Sequence, residues 1–438
     1  MTGIPPSTPI DRSDPEGEIA KSAHRNSNWG KWGEDDVRGT MNYLTDDLRA
    51  AAGSLIRRGV SFSLSQSFDM NGPQNGWRRR TNPVHTMLDT GTDAAAGVQG
   101  FPHGLGGADD VVSMPLQCST QWDGLGHIFD HGWAWNGRPA GQVVTTQGDR
   151  FTGIETVANG IVGRGVLVDV GRYIGDSGEL PDGFAITTDH LVATIEAQGI
   201  TSQVGRGDLL LVRTGQLSRA RRDGWGDYAG GAAPGLSFTT ADWLHDSEIA
   251  AIATDTWGFE VRPNEFDVAF QPLHQVAIPN MGLFLGEMWD LDALADDCVS
   301  DGVYEFFLDC GTYSGDRGGR RSGQSDSCQV ICSAGSVVAR CAARNTASRR
   351  KICSGSRSYT GCHHMASTIS PTSTGHAIVR NPELRGSKRT NFSCSSAMRS
   401  VPATRLGTVK KFSVTTCTRG SIPSIRNCRS AGVAADCP

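Results

Sequence analysis

The second half of the chain alternates short apolar runs with segments of helical periodicity. The apolar runs are continuous, which is typical of parallel strands buried on both faces. Between them lie segments whose apolar residues recur every three or four positions, as on one face of a helix. Strands are predicted at 165–170, 208–213 and 249–254, and helices at 241–246 and after a cap near Thr188. This alternation predicts an α/β fold.

The first half of the chain has a weaker pattern. Thr45 can cap a helix that ends at Gly59, and residues 61–66 alternate like a half-exposed strand. Residues 71–107 are rich in Gly, Asn and Arg, which favours long, mobile loops. Residues 1–27 are polar and contain proline, so we expect a flexible arm. The first half is therefore predicted to be richer in strands and loops than the second.

The composition changes abruptly near residue 309. The chain has 41 Lys and Arg and 46 Asp and Glu, but residues 309–438 contain 20 of these basic residues and only 5 of the acidic ones. Residues 1–308 therefore hold the other 21 basic and 41 acidic residues. Ten of the 12 cysteines lie after residue 308, whereas all ten tryptophans lie before it. We therefore treat 28–308 as one large domain and 309–438 as a separate tail.

The tail has three interpretations. The N-terminal residues show no signal-peptide pattern, which argues against a disulfide-rich extracellular module. No periodicity organises the positive charge, which argues against a nucleic-acid-binding arm. The third interpretation is out-of-frame translation: shifted by one nucleotide, allowed codons for 309–329 can encode an apolar segment with Pro and Gly, followed by a stop across Val330 and Ile331. We therefore predict a frameshifted, disordered tail with no nucleic-acid partner.

Charge and hydropathy also limit the partners of the body. No stretch is long and apolar enough to span a membrane, and no export signal is visible, so we expect a cytoplasmic protein without a membrane partner. Arg78, Arg79 and Arg80 form a basic run inside an acidic body. Such a run indicates a solvated surface more than a nucleic-acid site.

Residues 117–127 carry the first group of side chains that could bind a metal. If this segment begins as a strand, Gln117, Gln121 and Asp123 point to one face, because successive side chains alternate. The glycines that follow Asp123 allow His127 to return over the end of the strand. Two amide oxygens, a carboxylate and an imidazole on one face form a suitable donor set for a divalent cation.

This segment resembles the signature His-x-Gly-Thr-His-x-Asp-x-Pro-x-His of the putative cyclase family, which includes bacterial-type kynurenine formamidase and isatin hydrolase. Thr120, Asp123 and His127 match the signature. Gln117 and Gln121 stand where the signature has its first two histidines. The resemblance implies an enzyme that binds one or two divalent metals in this segment.

A second match lies downstream, where the family supplies a distal histidine and a glutamate to the metals. In this chain they are His274 and Glu287, thirteen positions apart. That spacing is not helical, so we predict a helix that ends near His274, a turn at 280–282 and a strand that carries Glu287. The resemblance covers about 28–308. It implies the swivelling β/β/α domain of the family, which is often dimeric, so a homodimer is expected.

The metal ligands implied by the resemblance come from both motifs. They are Gln117, Gln121, Asp123, His127, His274 and Glu287. The cofactor is expected to be a divalent metal, manganese or zinc, with magnesium as a further option. Carboxamide oxygens are harder ligands than imidazole nitrogens, so the glutamines favour manganese or magnesium. His127 is either a ligand or the group that delivers a proton to the leaving amine.

The resemblance implies an arylformamidase-like, metal-dependent hydrolase with a small-molecule substrate. We expect it to cleave an amide-type bond, N-formyl or lactam, in an aromatic compound by attack of metal-bound hydroxide. Trp122 and Trp257 lie near the motifs and are candidate substrate-binding residues. Two alternatives stay open. One is a lyase, dehydratase or cyclase on the same site, and the other is a non-catalytic relative whose metal site the glutamines have eroded.

Overall fold

A computed structural model describes the body of the chain and the backbone of two later strands. The described ranges are 9–158, 160–311, 329–331 and 336–340. The chain divides into two units, Met1–Arg350 and Lys351–Pro438, and every described residue belongs to the first. From residue 312 onward, the predicted disordered tail lies outside the described residues except for those two strands.

Within the described residues the chain forms ten α-helices, seven short 3₁₀ or π turns and seventeen strands. The α-helices are α1 (Pro15–Arg25), α2 (Asp46–Gly53), α3 (Gly91–Ala95), α4 (Ala140–Val143), α5 (Val170–Ile174), α6 (Thr188–Ala197), α7 (Gln216–Asp223), α8 (Ala241–Asp246), α9 (Pro272–Val276) and α10 (Asp292–Asp301). The short turns are Gly39–Tyr43, Trp77–Arg79, Pro102–Gly104, Trp135–Gly137, Ile154–Val157, Phe238–Thr240 and the π turn Ala277–Met281. None of these helices combines the length and the apolar character that crossing a membrane requires.

The strands vary from two to nine residues in length. They are β1 (Ser61–Ser63), β2 (Val84–Asp89), β3 (Asp109–Ser113), β4 (Gln121–Asp123), β5 (Trp133–Ala134), β6 (Arg138–Pro139), β7 (Val144–Thr145), β8 (Gly148–Asp149), β9 (Ile161–Asp169), β10 (Ala185–Ile186), β11 (Leu209–Arg213), β12 (Gly235–Leu236), β13 (Ala251–Thr254), β14 (Phe284–Glu287), β15 (Glu305–Cys310), β16 (Gln329–Ile331) and β17 (Ser336–Arg340).

One large mixed sheet forms the centre of the described fold. Its strand order is β1-β17-β15-β9-β11-β13-β14-β4-β16. The middle strands β9, β11, β13 and β14 run parallel, whereas β15 and β4 flank them in antiparallel pairing. Leu210 and Leu211 point to opposite faces of the sheet, and both are fully buried. Both faces are therefore covered, which explains the continuous apolar runs and confirms the predicted α/β class.

The N-terminal region, expected to be a flexible arm, contains a helix that packs on the core. Asp14 caps α1 by accepting a hydrogen bond from the backbone N–H of Gly17 at 3.0 Å. Ile19 and Ala23, four positions apart, are buried in the main hydrophobic cluster. Two apolar residues on one face of a short polar helix give a weak sequence signal, and only their burial against the rest of the fold makes the helix stable.

Residues 71–107, expected to be mobile loops, also contain regular structure. Strand β2 pairs in antiparallel fashion with β3, and α3 lies in the connection between them. Every residue of β2 and β3 is exposed. The hairpin therefore has no buried face to impose an apolar alternation on its sequence, which is why the pattern did not reveal it.

Most other predicted elements are present with different ends. Thr45 caps α2 as expected, with its hydroxyl oxygen accepting a hydrogen bond from the N–H of Leu48 at 3.3 Å. The helix ends at Gly53 instead of Gly59, and the predicted strand at 61–66 is shortened to β1. At the other end of the body, β15 continues to Cys310, beyond the break in composition.

Gly286 offers a test of the packing between β14 and its neighbours. A Cβ atom there would lie 2.4 Å from Ala253 Cβ and 2.7 Å from Trp289 Nε1. We expect Gly286→Ala to lower the free energy of unfolding by about 1–3 kcal/mol, because a well-packed core has no space for a methyl group. Gly53→Ala is the control, because a Cβ at this helical position meets nothing within 4 Å. Urea unfolding followed by circular dichroism measures both variants, and equal midpoints would contradict the tight packing.

Candidate metal centre

The sheet brings the two sequence motifs together. Strand β4 pairs with β14 in antiparallel fashion, in a register that places Gln121 opposite Glu287 and Asp123 opposite Leu285. Side chains two positions apart on a strand share a face, so Gln121 and Asp123 point to the same side. Helix α9 and the π turn that follows it lead into β14 and place His274 beside these carboxylates. The predicted order of helix, turn and strand is therefore present.

Asp123, His274 and Glu287 form a buried group that could hold a metal ion. Each offers one ligand atom, and these atoms all lie within 4.8 Å of one another. His274 Nε2 is 3.3 Å from Glu287 Oε1 and 3.9 Å from Asp123 Oδ2. Within the described residues, Asp123 Oδ2 is buried and accepts no hydrogen bond. Buried carboxylate oxygens are normally satisfied, so this unpaired oxygen next to an imidazole fits a divalent cation.

The orientation of His274 depends on Glu260. His274 Nδ1–H donates to Glu260 Oε1 at 2.5 Å, and the N–H groups of Leu273 and His274 donate to the same carboxylate at 3.1 and 3.0 Å. Metal-binding histidines usually donate their second ring N–H to such a carboxylate, which fixes the ring. Glu260 therefore directs His274 Nε2 toward Asp123 and Glu287. The sequence showed no sign of this role, because Glu260 is outside both motifs.

The electrostatics of this buried group agree with the geometry. Burial alone would lower the pKa of His274, but hydrogen bonds to Glu260 and Glu287 raise it to about 10. Burial raises the pKa of Glu287, the charge of Asp123 raises it further, and His274 opposes the shift. Two carboxylates thus share one buried space, and a positive charge between them is favourable.

The two glutamines contact the carboxylates through their amide nitrogens. Gln117 Nε2 donates to Asp123 Oδ1 at 2.6 Å, and Gln121 Nε2 donates to Glu287 Oε2 at 2.8 Å. Gln121 Nε2 also donates to Gln117 Oε1 at 3.0 Å, which links the pair. Gln121 Oε1 is buried and accepts no hydrogen bond within the described part of the chain. The glutamines therefore satisfy part of each carboxylate and leave one amide oxygen available.

Gln117 reaches this group from outside the strand. The prediction extended the strand across residues 117–123, but β4 begins only at Gln121. The preceding residues are in turns and bends, which the run of small polar residues in this segment favours. The predicted convergence of Gln117 with Gln121 and Asp123 is nevertheless present, through the hydrogen bonds between their side chains.

His127 lies at the outer side of the group. Its Nε2 is 3.9 Å from Asp123 Oδ2, and 19% of its side chain is exposed, against 1% for His274. Burial lowers the pKa of His127, while the charge of Asp123 opposes that shift. Of the two histidines, His127 is therefore the one that solvent and a small molecule can reach.

The two candidate substrate-binding tryptophans have different surroundings. Trp122 is fully buried on the core side of β4, and its ring meets that of Trp289 edge to face at 4.7 Å. Trp257 follows β13 and packs with Trp77 and Met288 in a smaller cluster beside Glu287. The indole N–H groups of both tryptophans are buried and donate to no acceptor in the described chain. The two residues therefore differ in what surrounds them: Trp122 faces the core, whereas Trp257 lies in the cluster next to Glu287.

Comparison with known proteins places these features in a family. The family model described as "Putative cyclase" matches residues 60–261. No curated protein matches the chain. A crystal structure described as a novel cyclase is 34% identical, has a TM-score of 0.63, and the similarity covers 72% of this chain and 99% of that one. This confirms the expected swivelling β/β/α architecture.

More distant structures include two isatin hydrolases. Isatin hydrolase A from Labrenzia aggregata, bound to benzyl benzoate, is 14% identical with a TM-score of 0.44, and 66% of this chain and 94% of that chain are covered. Isatin hydrolase A from Ralstonia solanacearum is also 14% identical, with a TM-score of 0.43 and coverages of 67% and 96%. The family assignment does not depend on them. With 34% identity across 99% of the novel cyclase, this chain belongs to the putative cyclase family.

Proposed function

We propose that this chain is a metal-dependent hydrolase that cleaves an amide-type bond, N-formyl or lactam, in a small aromatic substrate. The proposal depends most on Asp123 Oδ2, which is buried and accepts no hydrogen bond among the described residues. This oxygen lies 3.9 Å from the Nε2 atoms of both His127 and His274. A buried carboxylate oxygen next to an imidazole is a typical pair of donors for a catalytic divalent cation, and the second imidazole can either bind the cation or transfer a proton.

Residues from both motifs would hold the cation. Asp123, His274 and Glu287 supply two carboxylates and an imidazole, and Gln121 supplies a buried amide oxygen. Gln117 stays hydrogen-bonded to Asp123 and orients it. When bound, such a cation makes water more acidic and polarises a substrate carbonyl. Imidazoles support zinc and amide oxygens support manganese, so both metals remain part of the proposal.

His127 would handle the proton at the leaving amine. Its Nε2 is 3.9 Å from Asp123 Oδ2 and 19% of its side chain is exposed, so it lies between the carboxylate and the solvent side of the site. Amide cleavage by water releases a proton from the attacking water and needs one on the departing nitrogen. A neutral imidazole at this position would accept the first and deliver it to the nitrogen, so the protons balance. The buried His274 is held by Glu260 on its other side and has no comparable access.

Several wider features are also part of the proposal. The assembly is a homodimer, which the resemblance alone supports, and its location is the cytoplasm, which the lack of an export-signal pattern supports. Residues 28–308 form the catalytic domain. The tail 309–438 results from out-of-frame translation, which the reversal of charge and the ten late cysteines support.

Removal of the Asp123 carboxylate tests the metal site. We expect Asp123→Asn to reduce metal retention by at least tenfold, because a neutral amide is a much weaker ligand than a carboxylate. The full chain is loaded with manganese or zinc, dialysed and measured by elemental analysis. Asp110→Asn is the matched control, because Asp110 is an exposed carboxylate on β3. Equal metal content in the two variants would contradict the site.

Replacement of Gln121 by histidine tests the effect of the glutamines. We expect Gln121→His to retain zinc about tenfold more strongly than the wild type during a chelator challenge, because imidazole is a better zinc ligand than an amide oxygen. Gln121→Asn is the control that keeps an amide and shortens the side chain. If the wild type retains zinc as strongly as Gln121→His, the prediction that Gln121 lowers the zinc affinity of the site is wrong.

The reaction itself is tested in water labelled with oxygen-18. We expect the metal-loaded chain to cleave N-formyl anilides or aryl lactams and to place one labelled oxygen in the acid product, because water attacks the carbonyl carbon. Mass spectrometry of the products measures the label. Product without label would indicate a lyase or cyclase. Metal binding without turnover of any of these compounds would favour a non-catalytic relative.

A further inference from the structure

A group of aromatic side chains extends from the metal centre to the surface. We call Trp77, Trp257 and Phe270 the aromatic cluster. The ring of Trp77 meets Trp257 edge to face at 4.8 Å and stacks on Phe270 at 5.8 Å with an interplanar angle of 19°. Trp257 is 3% exposed, whereas Phe270 is 49% exposed. The cluster therefore runs from the interior beside Met288 to solvent.

Two arginines lie on this cluster without a carboxylate partner. Arg80 Cζ is 5.3 Å from the centre of the Trp257 ring, and Arg262 Cζ is 5.2 Å from that of Phe270. Both side chains are partly buried. Over the described residues, neither forms an ion pair within 4 Å, and Arg262 Nη1 is buried without an acceptor. A partly buried guanidinium normally pairs with an anion or donates hydrogen bonds to several acceptors. Arg80 and Arg262 can therefore accept an anionic ligand as their partner.

Arg80 lies on the side of the aromatic cluster that leads to the candidate metal centre. Burial lowers the pKa of Arg80, and the charges of Glu287 and Asp123 oppose that shift. Met288, the residue after Glu287, packs against Trp257, over which Arg80 lies. Arg80 is therefore on the inner side of the aromatic cluster, the side on which Met288 follows Glu287.

The two residues before Arg80 have an unfavourable backbone conformation. Arg78 and Arg79 have positive φ angles of 50° and 64°, a conformation that residues with side chains rarely adopt. The N–H of Arg80 donates to the carbonyl oxygen of Trp77 at 3.1 Å. Upstream, Gln74 Nε2 donates to the carbonyl oxygen of Cys118 at 2.9 Å, which ties this segment to the metal motif. Strained backbone of this kind is often found at ligand sites.

We propose that Arg80 and the aromatic cluster recognise an acidic aromatic substrate, with Arg80 binding a carboxylate on the ring. This inference rests on the proposed function and names its substrate class. The ring would pack against the accessible members of the cluster, Trp77 and Phe270, because Trp257 is only 3% exposed. The carboxylate would accept hydrogen bonds from the planar guanidinium. The unpartnered indole N–H of Trp257 supplies a further donor at the same place. The amide to be cleaved is then directed toward Asp123 and His127.

Binding of two simple probes tests this subsite independently of catalysis. Benzoate and benzyl alcohol are titrated calorimetrically into the full chain after chelator treatment, so that no cation can bind the carboxylate. We expect benzoate to bind at least about tenfold more tightly than benzyl alcohol, because a guanidinium adds charge-assisted hydrogen bonds. We expect Arg80→Gln to remove that preference and leave the affinity for benzyl alcohol unchanged. Arg79→Gln is the matched control, because Arg79 is exposed and should behave as the wild type.

Two further variants distinguish a specific loss of carboxylate binding from a general loss of folding. Arg80→Lys keeps the charge but loses the planar fork, so benzoate affinity should fall only in part. Trp257→Phe removes the indole N–H and should weaken benzoate more than benzyl alcohol. Equal binding of the two probes by the wild type, or equal losses in Arg79→Gln and Arg80→Gln, would overturn the subsite.

The outcomes separate this inference from the proposed function. A preserved preference for benzoate in a chain that cleaves no amide would refute hydrolysis and leave the subsite intact. Cleavage of neutral and carboxylated anilides with the same kcat/KM, and no preference for benzoate, would refute the subsite alone.

Discussion

The pairing of β4 with β14 is the constraint on which the site depends. Its register places Gln121 opposite Glu287 and brings Asp123 into the same buried space. Two carboxylates buried together are unfavourable unless positive charge or hydrogen-bond donors compensate them. In this structure the imidazole of His274 and the amide N–H groups of the two glutamines compensate the charges of Asp123 and Glu287. A divalent cation would compensate them more completely, because it carries more positive charge than an imidazolium and amide protons together supply.

The glutamines determine how the site balances the charge of its two carboxylates. An imidazole at position 117 or 121 would direct a nitrogen lone pair at a cation. The amides of Gln117 and Gln121 instead direct N–H groups at Asp123 and Glu287. An amide has both a donor and an acceptor end, so the same residues can satisfy the carboxylates or offer an oxygen. If a cation binds, it competes with these amide protons for the electron density of the same two carboxylates.

Residues away from the motifs prepare the site for its ligands. Glu260 orients His274 through a short hydrogen bond and is itself held by two backbone N–H groups. On the substrate side, the strained segment at Arg78 and Arg79 presents Arg80 to the Trp257 ring. The metal centre and the aromatic cluster meet at Met288, directly after Glu287. The end of β14 and the residue that follows it therefore connect the candidate metal centre to the aromatic cluster.

The sequence by itself determined the local character of the elements and the identity of the metal motifs. Continuous apolar runs predicted β9, β11 and β13, because strands covered on both faces have no polar alternation. The motif residues Asp123, His274 and Glu287 could be chosen because their types and order match a known signature. The tertiary structure alone decided what these residues contact. Glu260, Arg80 and the hairpin of β2 and β3 left no periodic or motif signal, because their positions depend on contacts between distant parts of the chain, which a local pattern cannot encode.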